Sequence, residues 1–197
     1  MPASRFGVAF VYDVSVDDMT GLDIRIVQAT PDMVGYVDGL RSNFIVKARI
    51  KVSMCGDSYD FDVDSVQHPY EKTEPGCPDC VYLGRDDAAI YLAFVGEKLA
   101  GQVCVQEDHN NMARVWELRV EHGQRHHGIA MSLMNTVKVW ALARGLHWLR
   151  AETQDVHVIA CMFYRDYGFV IGGFDRLYLQ ATPGSEDETI ISWYIKI

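Results

Sequence analysis

Gln124-Arg125-His126-His127-Gly128-Ile129-Ala130 lies between the strand-like run Met112–Val120 and a segment whose apolar residues return at helical spacing. That position makes the heptad a strand-to-helix turn. A helix start leaves backbone N–H groups unpaired and carries partial positive charge, so it attracts phosphate. Close approach of a pyrophosphate needs small residues where side chains would collide. Gly128 and Ala130 meet that need, and Arg125 adds a cation. His126 and His127 can donate hydrogen bonds and gain charge beside a phosphate. On the heptad alone two readings stay open, a coenzyme-phosphate turn or an ordinary strand–helix connection that happens to contain glycine.

From Gly128 to Arg144, the residues Ile129, Leu133, Val137, Trp140 and Ala141 recur with helical period, and Gly145 closes the helix. Ahead of the turn, Ala89–Val95, Leu99–Gln106 and Met112–Val120 read as consecutive strands. Gly96-Glu97-Lys98 and His109-Asn110-Asn111 supply the turns between them. Behind it come a strand at His147–Thr153 and a helix from about Val156 to Tyr167, stopped by Gly168. Two more strands follow, near Phe169–Leu179 and Thr189–Ile195. The first half is less regular. Asp23–Gln28 alternates as a strand, and Thr30-Pro31 opens a short helix expected to reach about Arg41. Phe44–Met54 and Tyr59–Val66 flank Cys55-Gly56-Asp57-Ser58 as a hairpin. Gln67–Asp87, with three prolines, is expected to be a long loop. A strand meander followed by alternating strands and helices implies the α/β (α+β) class, a mixed central sheet flanked by helices. Residues 1–18 are expected to form an N-terminal extension, with Phe6–Val14 apolar enough for a strand, and 19–197 a single domain.

A chain of 197 residues can bury a substantial core. Its net charge of −9 argues against a general nucleic-acid binder and is compatible with a cationic substrate. The absence of a membrane-length apolar run and of a basic leader implies a cytoplasmic protein with no membrane partner. Five scattered cysteines, Cys55, Cys77, Cys80, Cys104 and Cys161, do not form a disulfide framework. Cys77-Pro78-Asp79-Cys80 has metal or redox spacing. A zinc site takes about four ligands, and no second pair stands at matching spacing, so a plain loop and no metal are expected.

Arg125-x-x-Gly128-x-Ala130, after a strand ending at Val120, resembles the acetyl-CoA signature of the GNAT acetyltransferase superfamily. Ala160-Cys161-Met162-Phe163-Tyr164, continuing to Gly168-Phe169, resembles its second conserved segment. Glu152-Thr153-Gln154-Asp155, Gly172-Gly173-Phe174-Asp175 and Trp193-Tyr194, in that order, are similar to streptothricin acetyltransferases. The likeness runs from about Ala89 to Ile197, with Phe44–Arg49 also related. It implies the GNAT fold, with splayed parallel strands in mid-sheet. It also implies direct acetyl transfer from acetyl-CoA to a primary amine of a small cationic substrate, as in streptothricin resistance. Alternatives are another amine (an aminoglycoside, a polyamine or a protein lysine) and a non-catalytic acyl-CoA sensor. Exposed terminal strands are compatible with a homodimer.

The resemblance assigns roles. Tyr164 stands where relatives protonate the leaving thiolate, and a phenol with an ordinary pKa near 10 is protonated at neutral pH; its alternative reading is a packed aromatic. For the base, alternation places Val115, Glu117 and Arg119 on one face of the strand and Trp116, Leu118 and Val120 on the other. Relatives carry an acid where this chain has Trp116, so Glu117 is the candidate base, with a water relay and a merely solvated surface acid as the rival readings. Leu118, Arg119 and Val120 are expected along the pantetheine arm, Leu118 and Val120 through their backbone. Arg125, His126, His127, Gly128, Ile129 and Ala130 should surround the pyrophosphate. His157 stands where relatives carry Asn toward the pantetheine, and Ala160 and Tyr164 complete the coenzyme contacts. Glu152, Asp155 and Asp175 are candidate substrate-binding acids, with Glu188 a further acid that fits a cationic acceptor and Glu152 also able to support the base. Cys161 is expected to pack in its helix, because direct transfer needs no acyl-enzyme.

Overall fold

In the computed structural model, which describes residues 23–37, 39–40, 43–73 and 79–197, the strand β4 (Ala88–Val95) is buried along almost its whole length. Its unbroken run of apolar residues leaves no solvent face, which sets it inside the sheet. Flanking it are β1 (Ile24–Gln28) and β5 (Lys98–Glu107), and beyond β5 lies β6 (Ala113–Val120). Then follow β7 (Trp148–Gln154), β9 (Ile190–Lys196) and, at the far edge, β8 (Val170–Asp175). Neighbours pair antiparallel, except that β6 and β7 run parallel. The helix α1 (Ile129–Ala143) connects those two strands, and α2 (Val158–Tyr167) connects β7 to β8. This is the mixed sheet flanked by helices that the sequence predicts.

Alternation in β4 feeds two cores. Ala89, Tyr91 and Ala93 join Val103, Val105 and the buried side of α1, whereas Ile90, Leu92 and Phe94 face Val37, Cys104 and the segment around Tyr82. Each fully buried Leu or Ile contributes about 1.5–3 kcal/mol. Gly101 lets α1 sit close on β5, since a Cβ there would stand 2.8 Å from Ile129 Cγ2.

The long hairpin β2 (Asn43–Cys55) and β3 (Ser58–Thr73) forms a second sheet. Ile50, Val52, Tyr59 and Phe61 pack it onto the main core, with Phe61 edge-on to Trp193 at 6.1 Å. Polar ties fasten it to the far half of the main sheet. Ile50 N–H donates to the Asp155 carbonyl at 2.8 Å, Arg49 pairs with Asp155, and buried Lys72 pairs with buried Glu188.

Several expectations need correction. The helix expected through Arg41 is a single 3-10 turn, Pro31–Met33, followed by turns over residues 34–37. Gly35 and Gly39 weaken a helix that has no long apolar face to hold it; Arg41 itself lies outside the described residues. Gln67–Thr73, expected as loop, belongs to β3. Pairing passes from Val46–Tyr70 to Ala48–Ser65, so residues 66–69 bulge opposite Lys47, and Pro69 sits where no ladder N–H is required. The strand expected to reach Leu179 stops at Asp175, whose carboxylate accepts the N–H groups of Leu177 and Tyr178 and bends the chain away. Residues 1–18, the run Phe6–Val14 and Cys77 lie outside the described residues.

The largest correction concerns β6. Glu117 pairs with Cys104 and Val115 with Val105, which leaves Trp116 as an extra, bulged residue. The bulge resets the alternation. Val115, Leu118 and Val120 all pack against the α1 core, while Glu117 and Arg119 point the other way.

Another bulge falls at Gly172 in β8, between the pairs Ile171–Trp193 and Gly173–Ser192. The Tyr194 ring lies where a Cβ would project. Gly172→Ala therefore lifts that ring off the strand and is expected to lower stability by about 1–3 kcal/mol, read from a urea midpoint at unchanged m-value.

Candidate active site at a fork between two parallel strands

The pairing of β6 with β7 is short. It covers Ala113–Leu149, Arg114–Arg150 and Val115–Ala151 and then ends. Past that point β6 stays bound to β5 and β7 to β9, so the two strands part. The backbone of Trp116–Val120 on its β7 side is left open at the mouth of the fork. Extended ligands with amide groups bind such an edge as an added strand would.

The turn that follows β6 is built in left-handed backbone. His126 has φ 65° and Gly128, the N-cap of α1, has φ 78°. The Ser132 N–H makes the first helical bond, to the Gly128 carbonyl at 2.9 Å. The N–H groups of Ile129, Ala130 and Met131 thus form the positive end of α1. Arg125 Nε reaches back to the Val120 carbonyl at 3.3 Å, which places its guanidinium at the same opening. Nδ1 of His127 is buried with no hydrogen-bond partner in the protein. A buried polar atom lacking a partner is costly unless a ligand or water meets it. Left-handed His126, the helix start, Arg125 and this orphaned nitrogen together fit an anionic group.

Across the fork, His157 caps α2 and stacks on Phe44 of the hairpin, with ring centroids 4.1 Å apart and planes 11° apart. Ala160 is half-buried on the next turn. Tyr164 is buried among Phe163, Phe169 and Trp193, at 5.6, 5.0 and 6.2 Å. Trp193 Nε1 donates to Thr153 Oγ1 at 2.9 Å, and Thr153 Oγ1 meets Cys161 Sγ at 3.2 Å. Burial pushes the Cys161 thiol up to about 12 despite its bond to Thr153. Because the thiolate is the reactive form, Cys161 stays unlabelled by iodoacetamide at pH 8 in the folded protein, while exposed Cys55 is modified; peptide mass mapping reads the difference.

The candidate acids occupy different settings. Glu117 pairs with Arg119, whose guanidinium also reaches the Leu40 carbonyl. Glu152, one residue past the last parallel pair, accepts from Arg114 at 2.7 Å and from Arg150. Asp155 is buried and accepts from Arg49 Nε and the Thr189 N–H, both at 3.1 Å. Asp175 holds its own turn. Glu117 and Glu152 come to the fork, whereas Asp155 braces the joint with the hairpin and Asp175 the turn after β8. The two arginines on Glu152 were not singled out from the sequence, although alternation on β6 and β7 places Arg114, Arg150 and Glu152 on one face. Among the described residues no cluster of His, Cys, Asp and Glu is placed to hold a metal ion, and no helix is long and apolar enough to cross a membrane.

Comparison with known proteins agrees with this geometry. The profile of the acetyltransferase (GNAT) family matches residues 57–169. A streptothricin acetyltransferase of Escherichia coli is 31% identical over 168 residues, spanning 85% of this chain and 94% of that protein. Streptothricin acetyltransferase A of Bacillus subtilis (strain 168) is 25% identical over 154 residues, 78% of this chain and 88% of that one. A crystal structure from Bacillus anthracis str. Ames, assigned as a streptothricin acetyltransferase and solved with acetyl coenzyme A, superposes with a TM-score of 0.82 at 28% identity. It covers 88% of this chain and 99% of its own. Nourseothricin acetyltransferase shares the fold, with a TM-score of 0.74 at 24% identity over 88% of this chain and 98% of its own. A family match over more than half the chain, on a sheet whose two parallel strands fork, leads to one assignment: this protein belongs to the GNAT acetyltransferase family.

Proposed function

We propose that the chain is an acetyl-CoA-dependent N-acetyltransferase acting on a primary amine of a streptothricin-type antibiotic. The observation that carries this reading is the open β6–β7 fork ending on the left-handed turn at α1, in a chain that covers 94% of a streptothricin acetyltransferase. When bound, acetyl-CoA supplies the activated acetyl group. The N–H groups at the start of α1, with Arg125, His126 and His127, hold the pyrophosphate, and Gly128 and Ala130 keep that approach clear. Leu118, Arg119 and Val120 line the arm on the β6 side, with His157 and Ala160 opposite.

Tyr164 holds the proton that its phenol oxygen delivers to the departing sulfur. An acceptor ammonium cannot attack until it loses a proton, and Glu117, directly or through water, is the base we assign at the fork. Glu152 orients the acceptor there with its charge already matched by Arg114 and Arg150. The internal bonds of Asp155 and Asp175 favour bracing over direct contact with the acceptor cation.

The test is a panel of amines, namely streptothricin, an aminoglycoside, a polyamine and a lysine peptide, with coenzyme A release followed by a thiol reagent. Release that depends on streptothricin is expected. Release with another amine alone would refute the acceptor and spare the chemistry. A melting-temperature rise with acetyl-CoA and no release from any amine would leave a sensor in place of an enzyme.

A further inference from the structure

The bulge in β6 falls where that strand leaves β7. Trp116 has no partner on β5, and Val115–Ala151, one residue earlier, is the last pair with β7. Bulges re-aim side chains and are frequent beside active sites. Here the re-aimed group is an indole, and it is fixed from several directions. Its Nε1 donates to Gln106 Oε1 at 2.9 Å, the Arg114 guanidinium lies 3.6 Å above its ring, and the Tyr82 ring stacks at 6.1 Å. The supports are themselves held. Gln106 donates to Asp87, Arg85 forks onto the same carboxylate at 2.8 and 2.7 Å, and Arg114 donates to Glu152.

Even so, Trp116 is 43% exposed. A large aromatic side chain that is immobilised and still open to solvent has already lost the rotamer freedom that binding would otherwise cost. The charges around it cancel: Arg85 against Asp87, Arg114 against Glu152, Arg150 against Asp108. Among the described residues attraction by an uncompensated charge is therefore absent from this cluster, and the surface that Arg114 and Tyr82 leave open is aromatic. Arg114 shows which group that surface accepts, a planar guanidinium at stacking distance.

We propose that Trp116 is an acceptor-binding residue, whose indole lies against a planar guanidinium- or amide-like group of the acceptor and turns the reacting amine into the fork. The role rests on the acetyltransfer reading above, while the surface itself can be probed without the antibiotic. Agmatine, a primary amine carrying a guanidinium, serves as that probe in the full chain. Titration is expected to quench tryptophan fluorescence in the wild type, and the quench is expected to vanish in Trp116→Phe. In turnover with streptothricin, Trp116→Ala is expected to raise the acceptor KM about tenfold or more, to leave kcat within about threefold and the acetyl-CoA melting shift unchanged, and to be largely rescued by Trp116→Tyr. An equal quench in Trp116→Phe, or none in the wild type, overturns the proposal. So does an acceptor KM that Trp116→Ala leaves within twofold. A wild-type chain that ignores streptothricin but shows the Trp116-dependent agmatine quench sinks the antibiotic and keeps the indole site.

Discussion

Tyr164→Phe is expected to lower kcat for coenzyme A release by about 10²–10⁴-fold, the range a positioned proton donor contributes. The substitution is discriminating because the ring is held by packing. Phe163, Phe169 and Trp193 surround it, and a phenylalanine fills the same space. Losing one hydroxyl costs about 0.5–1.5 kcal/mol of stability at most, so the fold survives. A proton delivered to the leaving sulfur is needed only in the transition state. Hence kcat and kcat/KM should fall together, and the acetyl-CoA-induced rise in melting temperature should persist. Retention of kcat within about threefold would mean that the phenol is simply a packed aromatic and that the sulfur takes its proton elsewhere.

Lys72→Ala is expected to cost about 3–5 kcal/mol of stability, the penalty for stranding one member of a buried ion pair. Lys72 and Glu188 are 8% and 5% exposed, and the ammonium also reaches Ser185 Oγ at 2.9 Å. Oε1 of Glu188 accepts from Lys72 and its Oε2 has no hydrogen-bond partner, so its charge rests heavily on Lys72. Urea denaturation at neutral pH measures the loss. The double variant Lys72→Met with Glu188→Leu should recover much of it, because both charges leave together. A single variant within about 1 kcal/mol of wild type would show that water, rather than Lys72, satisfies the carboxylate.

The parts of this structure legible in the sequence are those where one neighbourhood decides the outcome. Ala89–Val95 reads as a strand from its own residues, and α1 carries its period from Ile129 to Ala141 with Gly145 beyond. The turn at Gly128 was visible for the same reason, since its requirements are local. The bulge at Trp116 was not. An inserted residue leaves no compositional trace, and in a strand as short as β6 either phase of alternation looks acceptable. Pro69 argued for loop because its tolerance depends on what lies opposite, Lys47 in a distant part of the chain. The stacking of His157 on Phe44, and the capture of Asp155 by Arg49, 106 residues away, are likewise set by tertiary contact. That is why the sequence offers Asp155 as a candidate substrate-binding acid and gives no sign of its place as a joint between two sheets.

The shortness of the β6–β7 seam bears on how the chain can be divided. Everything on one side of it, β1, β4, β5, β6 and α1, comes from residues before Gly145; β7, α2, β8 and β9 all come after. The β2–β3 hairpin crosses as an arm of the first portion, clasping the second through Ile50, Arg49 and Lys72, and the Arg114–Glu152 and Arg150–Asp108 pairs and the Tyr167–Asn135 hydrogen bond also span the seam. A cut in the exposed link after α1 therefore separates two pieces that each keep their own strand neighbours. The clasp, three parallel residue pairs and α1's contact with β7 hold the two portions together along the fork. Two such pieces are therefore expected to complement each other when mixed, and recovery of coenzyme A release measures whether they rebuild the fork.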